Sequence, residues 1–265
     1  MSREPILLDS ITDVTGEGGI VVSGSHGGMF PAAIASKWQL NAVVFNDAGI
    51  GLERAGVAGV MELENIGMAA AAADSESCCI GLAIDMLNRG RIKIANSIAV
   101  NLGVSSGMLI SDAVTYLTNA VKPTTKLPMV SEVRKEIQLT GIKDPIHLLD
   151  SASMIRPEDN GKIVITGSHG GLVGGDPTRA LKAKAKLAVF NDAGVGLDNA
   201  GITRLSVLEK LGISAVTVGS DTARIGDALS SLETGRISHA NKIARDMGAK
   251  KNDHLKSWLK TFKDR

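Results

Sequence analysis

The chain repeats itself, and that fact narrows its fold more than any other. Gly24-Ser25-His26-Gly27-Gly28 recurs as Gly167-Ser168-His169-Gly170-Gly171, and Phe45-Asn46-Asp47-Ala48-Gly49 recurs as Phe190-Asn191-Asp192-Ala193-Gly194. From Asn46 to Gly103, adding 145 to the residue number gives the partner in the second half without a gap, and 25 of those 58 positions are identical. Upstream the offset is 143, because the second copy carries two extra residues near Gly174 and Gly175. Further back, Leu7-Leu8-Asp9-Ser10 matches Leu148-Leu149-Asp150-Ser151 at 141. Units of about a hundred residues exceed the repeat lengths of solenoids, so the pattern predicts a duplicated domain.

Within each unit the apolar runs Ile20-Val21-Val22 and Ile163-Val164-Ile165 end at glycine, as strands buried on both faces do. The pattern then predicts a helix (32–38 or 178–185), a second strand (42–45 or 187–190), a helix (55–66 or 200–211) and a third strand (69–73 or 214–218). A long helical region follows, to Gly103 or Gly248, broken at Gly90 and Gly235. This reads as an α/β fold: an internally duplicated, Rossmann-like β-α-β-α-β-α unit with parallel sheets and two pseudo-symmetric halves. The expected domains are a first repeat over 1–108, a helical linker over 109–147 (helices at 111–121 and 131–139), and a second repeat over 148–265. That second repeat ends in an amphipathic helix carrying Leu255, Trp258, Leu259 and Phe262.

Composition limits the partners. A net charge of +1 and 3% aromatic residues give no field and no stacking surface for nucleic acid. No apolar run is long enough to span a bilayer, and the N-terminus lacks a signal-peptide core. The two cysteines, Cys78 and Cys79, are adjacent, which fits a reducing compartment. The expectation is a cytoplasmic protein with a small-molecule substrate, no nucleic-acid or membrane partner, and a homo-oligomeric state.

The chemistry-bearing residues fall where open parallel sheets bind ligands, at the carboxyl ends of strands. In Ser25-His26-Gly27-Gly28 and Ser168-His169-Gly170-Gly171 the glycines permit close backbone approach to an anion, and the imidazoles suit proton transfer near neutral pH. Capping and packing of the turn is the plainer alternative. At the next strand end, Asp47 and Asp192 are candidate bases or histidine orienters, and Asn46 and Asn191 candidate substrate ligands; both types also form ordinary turns. The third strand end differs between copies, with Glu76, Cys79 and Leu82 opposite Asp221, Arg224 and Asp227. Arg224 has the planar fork that clamps carboxylate or phosphate, or else pairs with Asp221 or Asp227 on the surface.

The sequence requires no cofactor. His26, Asp47, Glu76, His169, Asp192 and Asp221 are types that ligate a divalent metal, but no close-spaced motif assembles them. Gly103-Val104-Ser105-Ser106-Gly107 spells a nucleophile-elbow string after a predicted helix, where that motif needs a strand. The tandem His-Gly-Gly turns resemble the oxyanion-hole loops of esterases and the paired halves of amino-acid racemases. Neither family's nucleophile arrangement is present, since a racemase would carry a cysteine in each half.

The expected function is an enzyme, a hydrolase or a lyase/isomerase, acting on a small carboxylate or amide by acid-base chemistry of His169 and Asp192, with His26 and Asp47 in the matching pocket. The expected substrate ligands are Ser168, Gly170, Gly171, Asn191, Arg224 and Asp227, and in the first copy Ser25, Gly27, Gly28, Asn46 and Glu76. The alternative is a non-catalytic, pseudo-dimeric module that binds a nucleotide or another anion.

Overall fold

The structure is a computed structural model that describes residues 4–262. The first half places β1 (Ile6–Leu8), β2 (Ile20–His26), α1 (Met29–Lys37), β3 (Ala42–Asn46), α2 (Ala58–Glu62), β4 (Ala69–Ala73), α3 (Ala83–Arg89), β5 (Ile92–Ala95), α4 (Ser97–Asn101) and α5 (Ile110–Leu117). Its five strands lie in chain order, β1 to β4 parallel and β5 antiparallel to β4. The second half contains β6 (Arg134–Ile137), β7 (Ile146–Leu149), β8 (Ile163–His169), β9 (Leu187–Asn191), α6 (Arg204–Lys210), β10 (Ser214–Val218), α7 (Ala228–Glu233), β11 (Ile237–Ala240), α8 (Lys242–Asp246) and α9 (Leu255–Leu259). Its sheet runs β11-β10-β9-β8-β7-β6, with the two edge strands antiparallel to an otherwise parallel core. Both sheets are therefore mostly parallel and carry helices between strands, and no helix among the described residues is long and apolar enough to cross a membrane.

Alternation along the strands divides each sheet between two cores. In the first half Val21, Val43 and Phe45 face α1 and α2, while Ile20, Val22 and Val44 face α3 and α5. The strand β4 is five alanines, a residue of poor strand preference. Every one is buried between neighbouring strands, so tertiary context decides its conformation.

Three expectations from the sequence are corrected. The regions read as long helices contain the strands β5 and β11, because Arg91-Ile92-Lys93 alternates with period two. Asn96 closes β5 by taking the Ala70 amide hydrogen on Oδ1 and donating from Nδ2 to the Val60 and Met68 carbonyls. Asn241 does the same with Ala215, Leu205 and Ile213. The helix expected over 178–185 is absent, replaced by a short 3-10 turn at Pro177–Arg179 after the two inserted glycines. The second linker helix, expected over 131–139, is the edge strand β6. It is fastened by Arg134, whose Nη1 and Nη2 donate to the two oxygens of Asp159 at 3.0 and 2.9 Å. His147 bridges the same Asp159 at 2.6 Å and Glu136 on β6 at 3.1 Å. Burial would raise the Asp159 carboxyl, but Arg134, the Arg156 amide and His147 together hold it down to about 2. At the C-terminus, Leu255, Trp258, Leu259 and Phe262 dock on the second half's own core.

The halves meet at the carboxyl ends of their strands. A Cβ on Gly49 would lie 2.8 Å from the Gly194 Cα, and the reverse holds equally. The Leu52 amide donates to the Ser220 carbonyl at 2.7 Å, and the Leu197 amide to the Ser75 carbonyl at 2.9 Å. Two ion pairs flank this seam, Arg224 with Glu53 at 3.1 Å and Arg89 with Asp198 at 2.7 Å.

One position separates the halves locally. The Gly59 amide donates to the Gly27 carbonyl, and a Cβ on Gly59 would sit 2.2 Å from the Gly28 carbonyl oxygen. Its counterpart is Arg204, whose amide makes the matching bond to Gly170. A side chain fits there because the second half has no helix equivalent to α1. Gly59→Ala is expected to lower stability by about 2 kcal/mol or more, since backbone must move. Gly16→Ala, whose Cβ meets nothing within 4 Å, should stay within about 1 kcal/mol of the parent. Urea-denaturation midpoints check both.

Candidate functional site

The strands β2 and β8 end in the repeated histidine turns, and their side chains converge on one cavity of about 340 Å³. That volume suits a small metabolite. The first half contributes Ser10 to Asp13, after β1, and Ser25, His26, Phe30 and Pro31. The second contributes residues 150–153, after β7, which match 9–12, with Ser168, His169, Arg179, Lys182, Arg204 and Gly226, and Glu132 enters from the connecting segment.

Each histidine rests on the opposite half. A Cβ on Gly226 would lie 3.5 Å from the His26 Cε1, and a Cβ on Gly81 would lie 3.4 Å from the His169 Cε1. Each turn fixes its own ring. The Gly28 amide donates to the His26 Nδ1, and the Gly171 amide to the His169 Nδ1, both at 3.2 Å. With Nδ1 accepting, the proton of each neutral imidazole stands on Nε2. Among the described residues neither Nε2 has a partner, and neither is sealed from the cavity.

Burial keeps both rings neutral. It pushes His26 down to about 4. His169 falls to about 3, through burial first and then repulsion from Arg204 and His26. The same cavity holds a carboxyl shifted the other way. Glu132 is raised to about 7 by burial and by the negative charge of Asp150, against a hydrogen bond from Ser151.

The remaining wall is cationic on the second-half side. Arg204 is 5% exposed, donates from Nε to the Gly171 carbonyl at 2.8 Å and from Nη1 to the Ala180 carbonyl at 2.6 Å, and lies over the Phe190 ring. Ser25 and Ser168 each accept a backbone amide, from Ile11 at 3.0 Å and Ala152 at 2.8 Å, which orients their hydroxyls around the cavity.

The structure therefore brings together Ser25, His26, Ser168 and His169, with Gly27, Gly28, Gly170 and Gly171 in the turns that carry the rings. The Asn-Asp pairs lie apart from the cavity lining. Asp47 Oδ1 accepts the amides of Gly49 and Ser75 at 2.9 and 3.0 Å, and Asp192 Oδ1 those of Gly194 and Ser220 at 3.0 and 2.9 Å. Asn46 and Asn191 each accept the amide two residues on, and donate to the Cys78 sulfur and the Ala223 carbonyl respectively. Arg224 is spent on Asp227 and Glu53 at the seam, Asp227 caps α7 through the Ser230 amide, and Glu76 is exposed. Cys78 is buried, with its thiol pushed up to about 12 by burial. Among the described residues no group of three or more His, Cys, Asp or Glu is placed to hold a metal ion.

Sequence reading missed Glu132, Arg179, Lys182 and Arg204, of which only Lys182 has an identical counterpart, Lys37 at the offset of 145. It also passed over the Asp-Ser string at residues 9–10 and 150–151 as a boundary marker. That string was a usable signal, because it marks a third pair of matching strand ends and leads directly into the cavity wall. Compared with protein-family models, with curated proteins and with solved structures, the chain matches none.

The buried imidazoles carry a pH signature. A histidine held below its unfolded value of about 6.5 takes up a proton on unfolding. The stability due to its neutral burial is complete above that value and is lost as pH falls toward 4 and 3. The urea-derived stability should therefore drop from pH 6.5 to pH 4, with the protons taken up by the two histidines on unfolding partly offset by the one that Glu132 releases. Nitrogen NMR should show both rings in the Nε2–H form from pH 6.5 down to about 5, with His26 beginning to protonate as pH nears 4. A ring titrating near 6.5 would contradict the assignment.

Proposed function

We propose that the chain is an enzyme of the lyase or isomerase type, which moves a proton on a small carboxylate or amide bound in a single cavity shared by the two halves. The carrying observation is the pair of neutral imidazoles, His26 and His169, whose free Nε2–H groups face one cavity that also holds Glu132. A fixed neutral N–H is a donor that meets charge developing on an oxygen, and burial of the rings strengthens it. This turns the expected role of the histidines from base to charge stabiliser. A carboxyl titrating near neutral pH is matched to general acid-base work.

In this scheme Glu132 takes the proton from the carbon next to a carbonyl or carboxylate. The electron pair moves onto the carbonyl oxygen, where the Nε2–H groups stabilise it. Return of the proton to a neighbouring position completes an isomerisation, and departure of a β-substituent completes an elimination. The hydrolase reading is weaker, because Ser25 and Ser168 each accept a backbone amide and no base contacts either hydroxyl. Under the same proposal the halves are copies of one unit, and the Asn-Asp pairs shape the seam that joins them. The cytoplasmic setting remains motivated by the adjacent free cysteines, and the homo-oligomeric state remains an expectation.

The test is solvent deuterium exchange into a panel of small hydroxy, keto and amino acids and their amides, followed by mass spectrometry. Exchange or turnover by the parent is expected to fall at least a hundredfold in Glu132→Gln and in His169→Gln. The rate should rise with pH through about 7, as Glu132 ionises. Ligand binding with no exchange in any member would favour the non-catalytic module, and full activity in Glu132→Gln would remove the proposed base.

A further inference from the structure

Arg204 is the one buried cation of the cavity wall, and its surroundings do not neutralise it. Nε and Nη1 are used by backbone carbonyls, and among the described residues Nη2 has no partner, is not sealed off, and no carboxylate lies within ion-pair distance. The carboxylates of the cavity are committed elsewhere. Asp13 faces Arg179 at 3.5 Å, and Asp150 accepts the Val133 amide at 2.7 Å and the Ala228 amide at 3.1 Å. Glu132 makes no ion pair with Arg204. A guanidinium removed from water without a counter-charge is costly, and an anionic ligand would supply the missing charge.

We infer that the cavity takes its ligand by an anionic group, a carboxylate or a phosphate, seated on the free edge of Arg204. The inference rests on the cavity being the functional site and supplies the ligand chemistry and its direction of binding. Arg179 and Lys182 line the same side, with the Lys182 ammonium held by the Ser153 carbonyl at 2.7 Å. Burial and repulsion from Arg179 push Arg204 down only to about 10, so it stays charged at neutral pH. The planar fork with one nitrogen free suits an oxyanion better than a neutral amide does.

Arg204 also breaks the likeness of the two halves. In the first half the Gly28 carbonyl accepts the Ala32 amide inside α1, and position 59 must be glycine for α2 to reach it. In the second half no such helix forms, and the Arg204 Nε occupies the Gly171 carbonyl instead. Support of that carbonyl accounts for Nε and Nη1, but not for the open Nη2 or the missing counter-ion. The cavity thus has one anion seat, on the second-half side, and a ligand enters in one orientation.

The test is a binding titration by calorimetry and thermal shift on the full chain at pH 7.5, with ionic strength held constant by chloride. The probes are inorganic phosphate, acetate, malonate and succinate, with uncharged malonamide as the size-matched control. Saturable binding of phosphate identifies a phosphate seat, and saturable binding of the carboxylates a carboxylate seat. Arg204→Met, which keeps an apolar stem over Phe190, is expected to weaken binding at least tenfold. If that variant does not fold, the double variant Arg179→Ala, Lys182→Ala is expected to weaken it at least threefold. Binding of none of the anions, equal binding of malonamide, or affinities unchanged in the variants would overturn the inference. Glu132→Gln separates the two proposals. Arg204-dependent anion binding retained there, without any turnover in the parent, leaves the anion seat standing and removes the enzyme. Turnover of neutral compounds without anion binding does the reverse.

Discussion

The contact between Gly49 and Gly194 governs the rest of the structure, because it fixes how the two sheets face each other. Reaching it takes a run of left-handed backbone. Ala48, Gly49, Ile50 and Gly51 have φ of 50°, 69°, 62° and 70°, and Ala193, Gly194, Val195 and Gly196 have 50°, 77°, 65° and 67°. For Ala, and more so for β-branched Ile50 and Val195, that region is unfavourable by about 1–3 kcal/mol per residue. The offsetting bonds are local: Asn46 and Asp47 accept the first amides of the loop, the Asp47 carboxylate ties the loop to Ser75, and the opposite half receives the Leu52 amide. The second half repeats each of these bonds. Once the loops are held so, Gly81 and Gly226 come to lie against the histidine rings of the other half, and the two strand ends share one cavity.

On this common frame the cavity walls differ. The first half closes its turn with the helix α1, whose Ala32 amide occupies the Gly28 carbonyl. The second half has two extra glycines, no helix, and a buried arginine in that place. The change at one aligned position, Gly59 against Arg204, is therefore linked to the presence of a whole element. Glycine is required where the helix sits, and a long side chain is admitted where it does not. Sequence identity alone presents the pair as one mismatch among many.

Much of the scaffold was legible because its determinants are local. Continuous apolar runs marked the parallel strands β2 to β4 and β8 to β10, whereas β1 and β7 were read only as repeat boundaries, and the fixed offset of 145 marked the matching halves. The antiparallel strands β5, β6 and β11 were less so, since they are four residues long and β5 and β11 lie between helices. Arg134 to Ile137 reads as a helix until the buried Asp159 and His147 that fasten it are known. At the site the histidine turns stood out through repetition. Asn46, Asp47, Asn191 and Asp192 stood out equally, and their hydrogen bonds go to the seam. Arg204 and Glu132 gave no signal, because burial without a counter-ion and entry from a distant segment are properties of the assembled cavity.

Repetition and asymmetry assign different work within the proposed mechanism. The repeated residues supply two similar neutral donors, His26 and His169, which suit one oxygen approached from both halves. Two equal donors cannot tell the ends of a ligand apart. That distinction falls to residues without a counterpart, Arg204 on the wall of the second half and Glu132 from the connecting segment. A neutral imidazole beside a guanidinium is itself consistent with this division, because the positive charge of Arg204 opposes protonation of His169. The arginine thus has two effects on the same cavity: it offers a seat to an anion, and it helps keep the neighbouring histidine in the form that donates from Nε2.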